Sequence, residues 1–123
     1  DPRAAVAERL RRGDILPGFG HPLYPDGDPR AAILLGLMAR EFPGDRRLAA
    51  AGELAVAARA VAGQPPTVDF ALALLGHLLS LPAGAVLAVF ALGRSVGWIG
   101  HAMEQYASGR LIRPRARYTG VLP

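Results

Sequence analysis

The sequence predicts an all-α protein. Three observations carry this expectation: apolar residues recur at three- and four-residue spacings, Asp or Pro stands where helices would begin, and no run alternates apolar and polar residues as a strand would. The 123 residues have room for one domain or a large part of one, and a chain of this length can hide roughly two-thirds of its unfolded surface. With 51% hydrophobic and 20% charged residues, it is not a disordered tail.

Taken in order, Ala4–Arg12 reads as a short helix stopped by Gly13, with arginines in its last turns. Gly18 to Asp28 holds Gly18, Gly20, Pro22, Pro25 and Gly27, so it is a shaped loop. Asp28-Pro29 opens the next helix, Asp28 as cap and Pro29 in the first turn. It runs to about Glu41, with Ile33, Leu34, Leu37 and Met38 as its expected buried stripe. After the turn Phe42-Pro43-Gly44, Asp45 caps a helix to about Val61, whose apolar side is Leu48, Leu54, Val56 and Val61. Ala62 to Thr67 is a second loop. Val68–Leu81 and Ala83–Ala107 follow as helices, the latter with Gly93, Gly97 and Gly100 as bend points, and Arg110 to Pro123 is a basic tail.

The chain lacks cysteine, which removes disulfides, thiol catalysis and cysteine-based metal sites, and it permits a reducing compartment such as the cytoplasm. It also lacks lysine, so arginine supplies all 14 cations behind the formal charge of +4. Arginine grips carboxylate or phosphate with a planar fork, although a coding bias would leave the same composition. Asp1-Pro2-Arg3 has neither an initiator Met nor an apolar signal core, so an excised piece of a longer protein is expected. Phe70 to Gly93 is uncharged and long enough for a bilayer, but Pro82 interrupts it, and two buried helices are the better reading.

Several side chains could do chemistry. His21 follows Gly18-Phe19-Gly20, where bare backbone amides can approach a flat or anionic ligand and imidazole can move a proton near neutrality. A loop histidine held by backbone partners explains the same residue. Asp69 is a lone carboxylate among apolar neighbours at a helix start. Desolvation there would strengthen it as a base, whereas the helix dipole favours the carboxylate, and a plain first-turn acid is the simpler account. Phe90 and Arg94 share a helix face with Trp98 and His101, and an arginine after so long an apolar run needs an anion, water or an acid such as Glu104. His77 and His101 fit ordinary helix positions. Arg110, Arg113, Arg115 and Arg117 with Tyr118 suit a solvated tail, a partner subunit or an anionic ligand, and less well nucleic acid. Three scattered histidines give no metal-ligand spacing, Gly18-Phe19-Gly20 lacks a dinucleotide fingerprint, and no serine sits in a nucleophile elbow.

The order of these pieces is more specific than any one of them. Gly18-Phe19-Gly20-His21, Asp28-Pro29-Arg30, Val68-Asp69, Arg94-Ser95-Val96-Gly97-Trp98-Ile99 and Arg113-Pro114-Arg115 together resemble the C-terminal part of the citrate synthase family, over about Asp14 to Gly120. The resemblance implies a small helical domain, residues 1–75, and a segment, 76–123, returning to a large domain whose main part lies outside this chain. It implies condensation of an acyl-CoA, usually acetyl-CoA, with a 2-oxo acid, usually oxaloacetate. Asp69 would take the thioester's α-proton and His21 would protonate the oxaloacetate carbonyl. Arg30 and Arg94 would bind carboxylates and Phe90 would line their pocket. Arg113 would act across a homodimer interface, and the backbone of Leu16, Pro17, Gly18, Phe19 and Gly20 would cradle the adenine of CoA.

No permanently bound cofactor, metal, nucleic acid or membrane is implied, only coenzyme A thioester as co-substrate. The family's enolate-stabilising histidine lies upstream of Asp1, so the fragment alone should be inactive. Pro22 and Pro25 stand where many members carry basic residues near CoA, and Leu23 replaces the usual Val or Ile. These departures leave a second reading, a non-catalytic module that binds carboxylate or acyl-CoA.

Overall fold

The computed structural model describes residues 1–111 and Thr119. Among these the regular elements are five helices: α1 (Pro2–Arg11), α2 (Pro29–Glu41), α3 (Arg46–Ala62), α4 (Val68–Leu78) and α5 (Ala85–Ser108). The only pairing of strand type among the described residues is one isolated antiparallel bridge between Phe19 and Pro66. The chain falls into two compact units, Asp1–Phe90 and the part from Ala91 onward, and α5 begins in the first and continues in the second.

The helix starts follow from their caps. Asp1, Asp28 and Asp45 each accept the backbone N–H two residues on, which satisfies one of the amides a helix start leaves unpaired. α1 and α2 add proline in the first turn, where its missing N–H costs nothing. α4 ends earlier than the expected Leu81. Ser80 adopts φ +51°, and its N–H reaches His77 O at 3.3 Å while Leu81 N reaches Gly76 O at 2.9 Å. Such a left-handed cap closes the helix three residues before the proline that the sequence reading relied on.

Within the first unit α1 packs on α3, α2 on α4, and α3 on α4. One cluster joins Ala31 and Met38 of α2 to Ala71, Leu74 and Leu78 of α4. The other joins Val6, Leu16, Ala57 and Ala58. The expected stripes are corrected in part: Met38 is buried and Leu34, Leu48 and Leu54 pack against the core, but Ile33, Leu37, Val56 and Val61 are exposed, and Ala31, Ala57 and Ala58 hold the other buried positions. Alanine lets helix axes approach closely, so the large apolar residues beside it are left at the surface.

α5 has no buried residue. Val89, Leu92, Val96, Ile99, Met103 and Tyr106, spaced alternately three and four apart, are all exposed, from 43% to 85%. The helix is continuous through Gly93, Gly97 and Gly100. By length and composition it could cross a membrane, alone among the described helices.

Candidate functional site

The loop Leu16–Gly20 is stitched to the loop before α4. Thr67 N and Thr67 Oγ1 both donate to Gly18 O, at 2.9 and 3.1 Å, and Gly20 N donates to Pro65 O at 2.9 Å. These bonds flank the Phe19–Pro66 bridge, and the Phe19 ring meets Phe70 with centroids 4.7 Å apart. The two segments are far apart in sequence, and the antiparallel bridge sets residues 18–20 against residues 65–67. Two glycines make the approach possible. Gly18 has φ +82° and Gly20 φ +72°, and a Cβ on Gly18 would come within 3.1–3.3 Å of the Phe70 backbone and Cβ. Against Gly20 lies Gln64, whose Oε1 is buried with no partner among the described residues.

His21 is half-buried, its ring 5.0 Å from that of Tyr24. Its Nδ1 accepts the Leu23 N–H at 3.1 Å, so a neutral His21 carries its proton on Nε2 and donates from there. The backbone partner expected in the simpler account is thus present, and it leaves the second nitrogen for chemistry.

Asp69 lies in the first turn of α4. Its apolar neighbours do not bury it: the residue is exposed, with Oδ2 accepting a long 3.4 Å contact from the Thr67 hydroxyl. Thr67 is itself 4% exposed and makes no side-chain cap to α4; its single hydroxyl hydrogen is within reach of Gly18 O at 3.1 Å and, less closely, of Asp69 Oδ2.

Arg30 and Asp28 form the electrostatic centre. Asp28 Oδ1 accepts Arg30 N and Nε, and Oδ2 accepts Arg30 Nη2, at 2.9–3.0 Å. Its Oδ2 also accepts Val68 N at 2.9 Å, forty residues away. The hydrogen bond from the Arg30 side chain holds the Asp28 carboxyl at about 2, against the opposing effect of desolvation, with the Val68 and Arg30 amides assisting. Arg30 is raised in turn, chiefly by Asp28, with the charges of Tyr24 and Asp69 adding to it. Its guanidinium lies 5.3 Å from the Tyr24 ring centre, and its side chain stays 46% exposed. One guanidinium edge is therefore committed to Asp28, and Nη1 remains to meet a ligand.

Phe90 is exposed on α5. In the second unit Arg94 lies along its own helix beside Gly97, where an added Cβ would meet Arg94 Nη1 at 3.2 Å. Glu104 is 3.4 Å from His101 Nδ1 and makes no ion pair with Arg94. His77 is exposed and contributes its carbonyl to Arg47 Nη1 at 2.8 Å. Arg113, Arg115, Arg117 and Tyr118 lie outside the described residues. Sequence reasoning missed three groups: the reach of Asp28 to Val68, the buried hydroxyl of Thr67, and Tyr24 between His21 and Arg30. Only the Thr67-Val68-Asp69 order at a helix start hinted at the second.

The fold is all-helical, with the glycine-rich loop before His21 bonded to the chain leading into α4 and Arg30 paired to the buried Asp28. Residues 1–115 match the family described as "Citrate synthase, C-terminal domain", and the chain belongs to that family. It is 41% identical to the citrate synthase of Haloferax volcanii over 98% of its own length and 32% of that protein. It is 35% identical to the 2-methylcitrate synthase of Shewanella oneidensis, over 100% of this chain and 34% of that one. The crystal structure of citrate synthase from Thermotoga maritima superposes with a TM-score of 0.84 at 30% identity, covering 99% of this chain and 35% of that one. The chain thus spans about a third of the length of these relatives.

Proposed function

We propose that the chain supplies the C-terminal part of an enzyme condensing an acyl-CoA, acetyl-CoA, with a 2-oxo acid, oxaloacetate, to give citrate and CoA. The observations supporting this reading are the Leu16–Gly20 loop bonded to residues 65–67, just ahead of α4, and the charge of Asp69 felt at Arg30. Asp69, exposed in the first turn of α4, removes a proton from the α-carbon of the thioester. His21 donates from Nε2 to the carbonyl oxygen of the 2-oxo acid as the new carbon–carbon bond forms. Water then cleaves the thioester, releasing CoA. Arg30 offers Nη1 to a substrate carboxylate, and Arg94 and Arg113 supply further charge, Arg113 across the interface of a cytoplasmic homodimer. The backbone of Leu16–Gly20 holds the adenine of CoA, a co-substrate rather than a resident cofactor. The exposed apolar residues of α5 fit a helix whose cover lies in the part of the fold outside this chain.

A thiol assay of CoA release tests the reading on this chain joined to the remaining two-thirds of a citrate synthase fold. Release that needs both acetyl-CoA and oxaloacetate is expected, with none from the 123-residue chain alone. Preference for propionyl-CoA would assign the activity named for the Shewanella relative instead, whereas oxaloacetate binding without any release would leave the non-catalytic module.

A further inference from the structure

We propose that Asp28 is a positioning residue, one buried carboxylate that fixes both the Arg30 guanidinium and the start of the helix carrying Asp69. The proposal rests on the roles given above to Arg30 and Asp69. The Asp28 side chain is 0% exposed, and four donors fill its acceptor sites: Arg30 N, Nε and Nη2, and Val68 N. It therefore caps two helices at once. Arg30 N belongs to the first turn of α2, and Val68 N is the first amide of α4, whose own cap residue Thr67 gives that helix no side-chain bond. Asp69 is the next residue along. Arg30 and Asp69 also feel each other's charge. With its Nε–Nη2 edge held by Asp28, Arg30 is kept from swinging onto Asp69, a pairing that would occupy the base and the anion site together.

The molecule contains its own control. Asp45 caps α3 with the same local pattern, accepting Arg47 N, Nε and Nη2 at 2.7–3.1 Å, but takes no bond from the start of a second helix. A helix cap with an Asp–Arg pair is present at both positions, and the Asp45 pair meets α4 only at its far end, where Arg47 Nη1 donates to His77 O. Only the reach to Val68 is peculiar to Asp28.

The test is NMR on the full 123-residue chain bearing Asp28→Asn, Val68→Pro or Asp45→Asn. Three signals are read: exchange protection of Arg30 Nε–H, exchange of the Ala71 amide that closes the first turn of α4 on Thr67 O, and averaging of the Asp69 χ1 rotamer. Asp28→Asn should expose Arg30 Nε–H, speed Ala71 exchange about tenfold and average Asp69 over rotamers. Val68→Pro removes a single N–H at a position where proline suits a helix, so it should loosen Asp69 and Ala71 while Arg30 Nε–H stays protected. Asp45→Asn should change none of the three. Asp69 unchanged in Asp28→Asn, or disturbed as much by Asp45→Asn, overturns the proposal. If Asp28→Asn does not fold, Val68→Pro decides, and an unchanged Asp69 there is equally fatal. No substrate enters these measurements, so their failure is separate from failure of the CoA-release assay.

Discussion

Asp28 is the residue on which most of the local electrostatics converge, and its contribution has a defined pH window. Its folded carboxyl titrates at about 2, below the ordinary value of 3.8. Stability from this group is therefore fully present above about pH 4 and lost as pH falls through 2. With Arg30 half exposed, the loss should be on the order of 1–2 kcal/mol, read from urea midpoints at a series of pH values. Asp28→Asn should flatten that limb of the curve. For the reaction, Asp69→Ala in the assembled enzyme should lower kcat by about 10²–10⁴-fold with little change in the KM for oxaloacetate. Arg94→Ala should raise that KM, because a guanidinium contact to a carboxylate exists in the ground state as well. Steady-state kinetics with oxaloacetate varied separates the two. From their settings alone His21 and Asp69 read more simply as a backbone-held loop histidine and a first-turn acid, and it was the order of the motifs that raised them as site candidates. The second bond of Asp28 was not, since nothing in a local sequence window marks a partner forty residues away.

Elements were legible in proportion to how much of their boundary is set by neighbouring residues. α2 begins at the Asp28-Pro29 pair and α3 after Asp45, as expected, because caps and first-turn proline act within one turn. The end of α4 was misplaced because a serine in left-handed backbone, rather than Pro82, closes it. Ser80→Gly should relieve that conformation and stabilise the fold by about 0.5–1 kcal/mol, measured as a rise in thermal midpoint. Gly18→Ala should do the reverse. It places a Cβ against the start of α4 at positive φ, for a loss of about 1–3 kcal/mol and a loosened Leu16–Gly20 loop. Burial on α2 and α3 was misread in part because size was taken as the mark of the core: Met38 is buried as expected, but beside it the buried positions of these helices are Ala31, Ala57 and Ala58.

On the scale of the whole molecule, the described part leaves an unusual amount of apolar surface in water. The seam of α5 from Val89 to Tyr106 is exposed along its length, and Ile33, Leu37 and Val56 add to it. Under the proposed function, the further two-thirds of such an enzyme would be set against these residues. Taken alone, the 123-residue chain should bind a hydrophobic dye and associate with rising concentration. Both should fall when Leu92 and Val96 are changed to Gln, as sedimentation and fluorescence would read. The all-α class and family kinship were open to the sequence, because ordered motifs and helical spacing survive in a fragment. The exposure of α5 was not, because its apolar spacing reads equally as that of a buried helix, which is what the sequence led one to expect.

The central claim is that residues 16–21 and 65–69 form one working site, and a double-mutant cycle in CoA release tests it most directly. With His21→Ala and Asp69→Ala in the assembled enzyme, the two groups acting on one reaction step should be strongly non-additive, the double variant little slower than the worse single one. Losses that simply multiply, or near-normal turnover without Asp69, would contradict it.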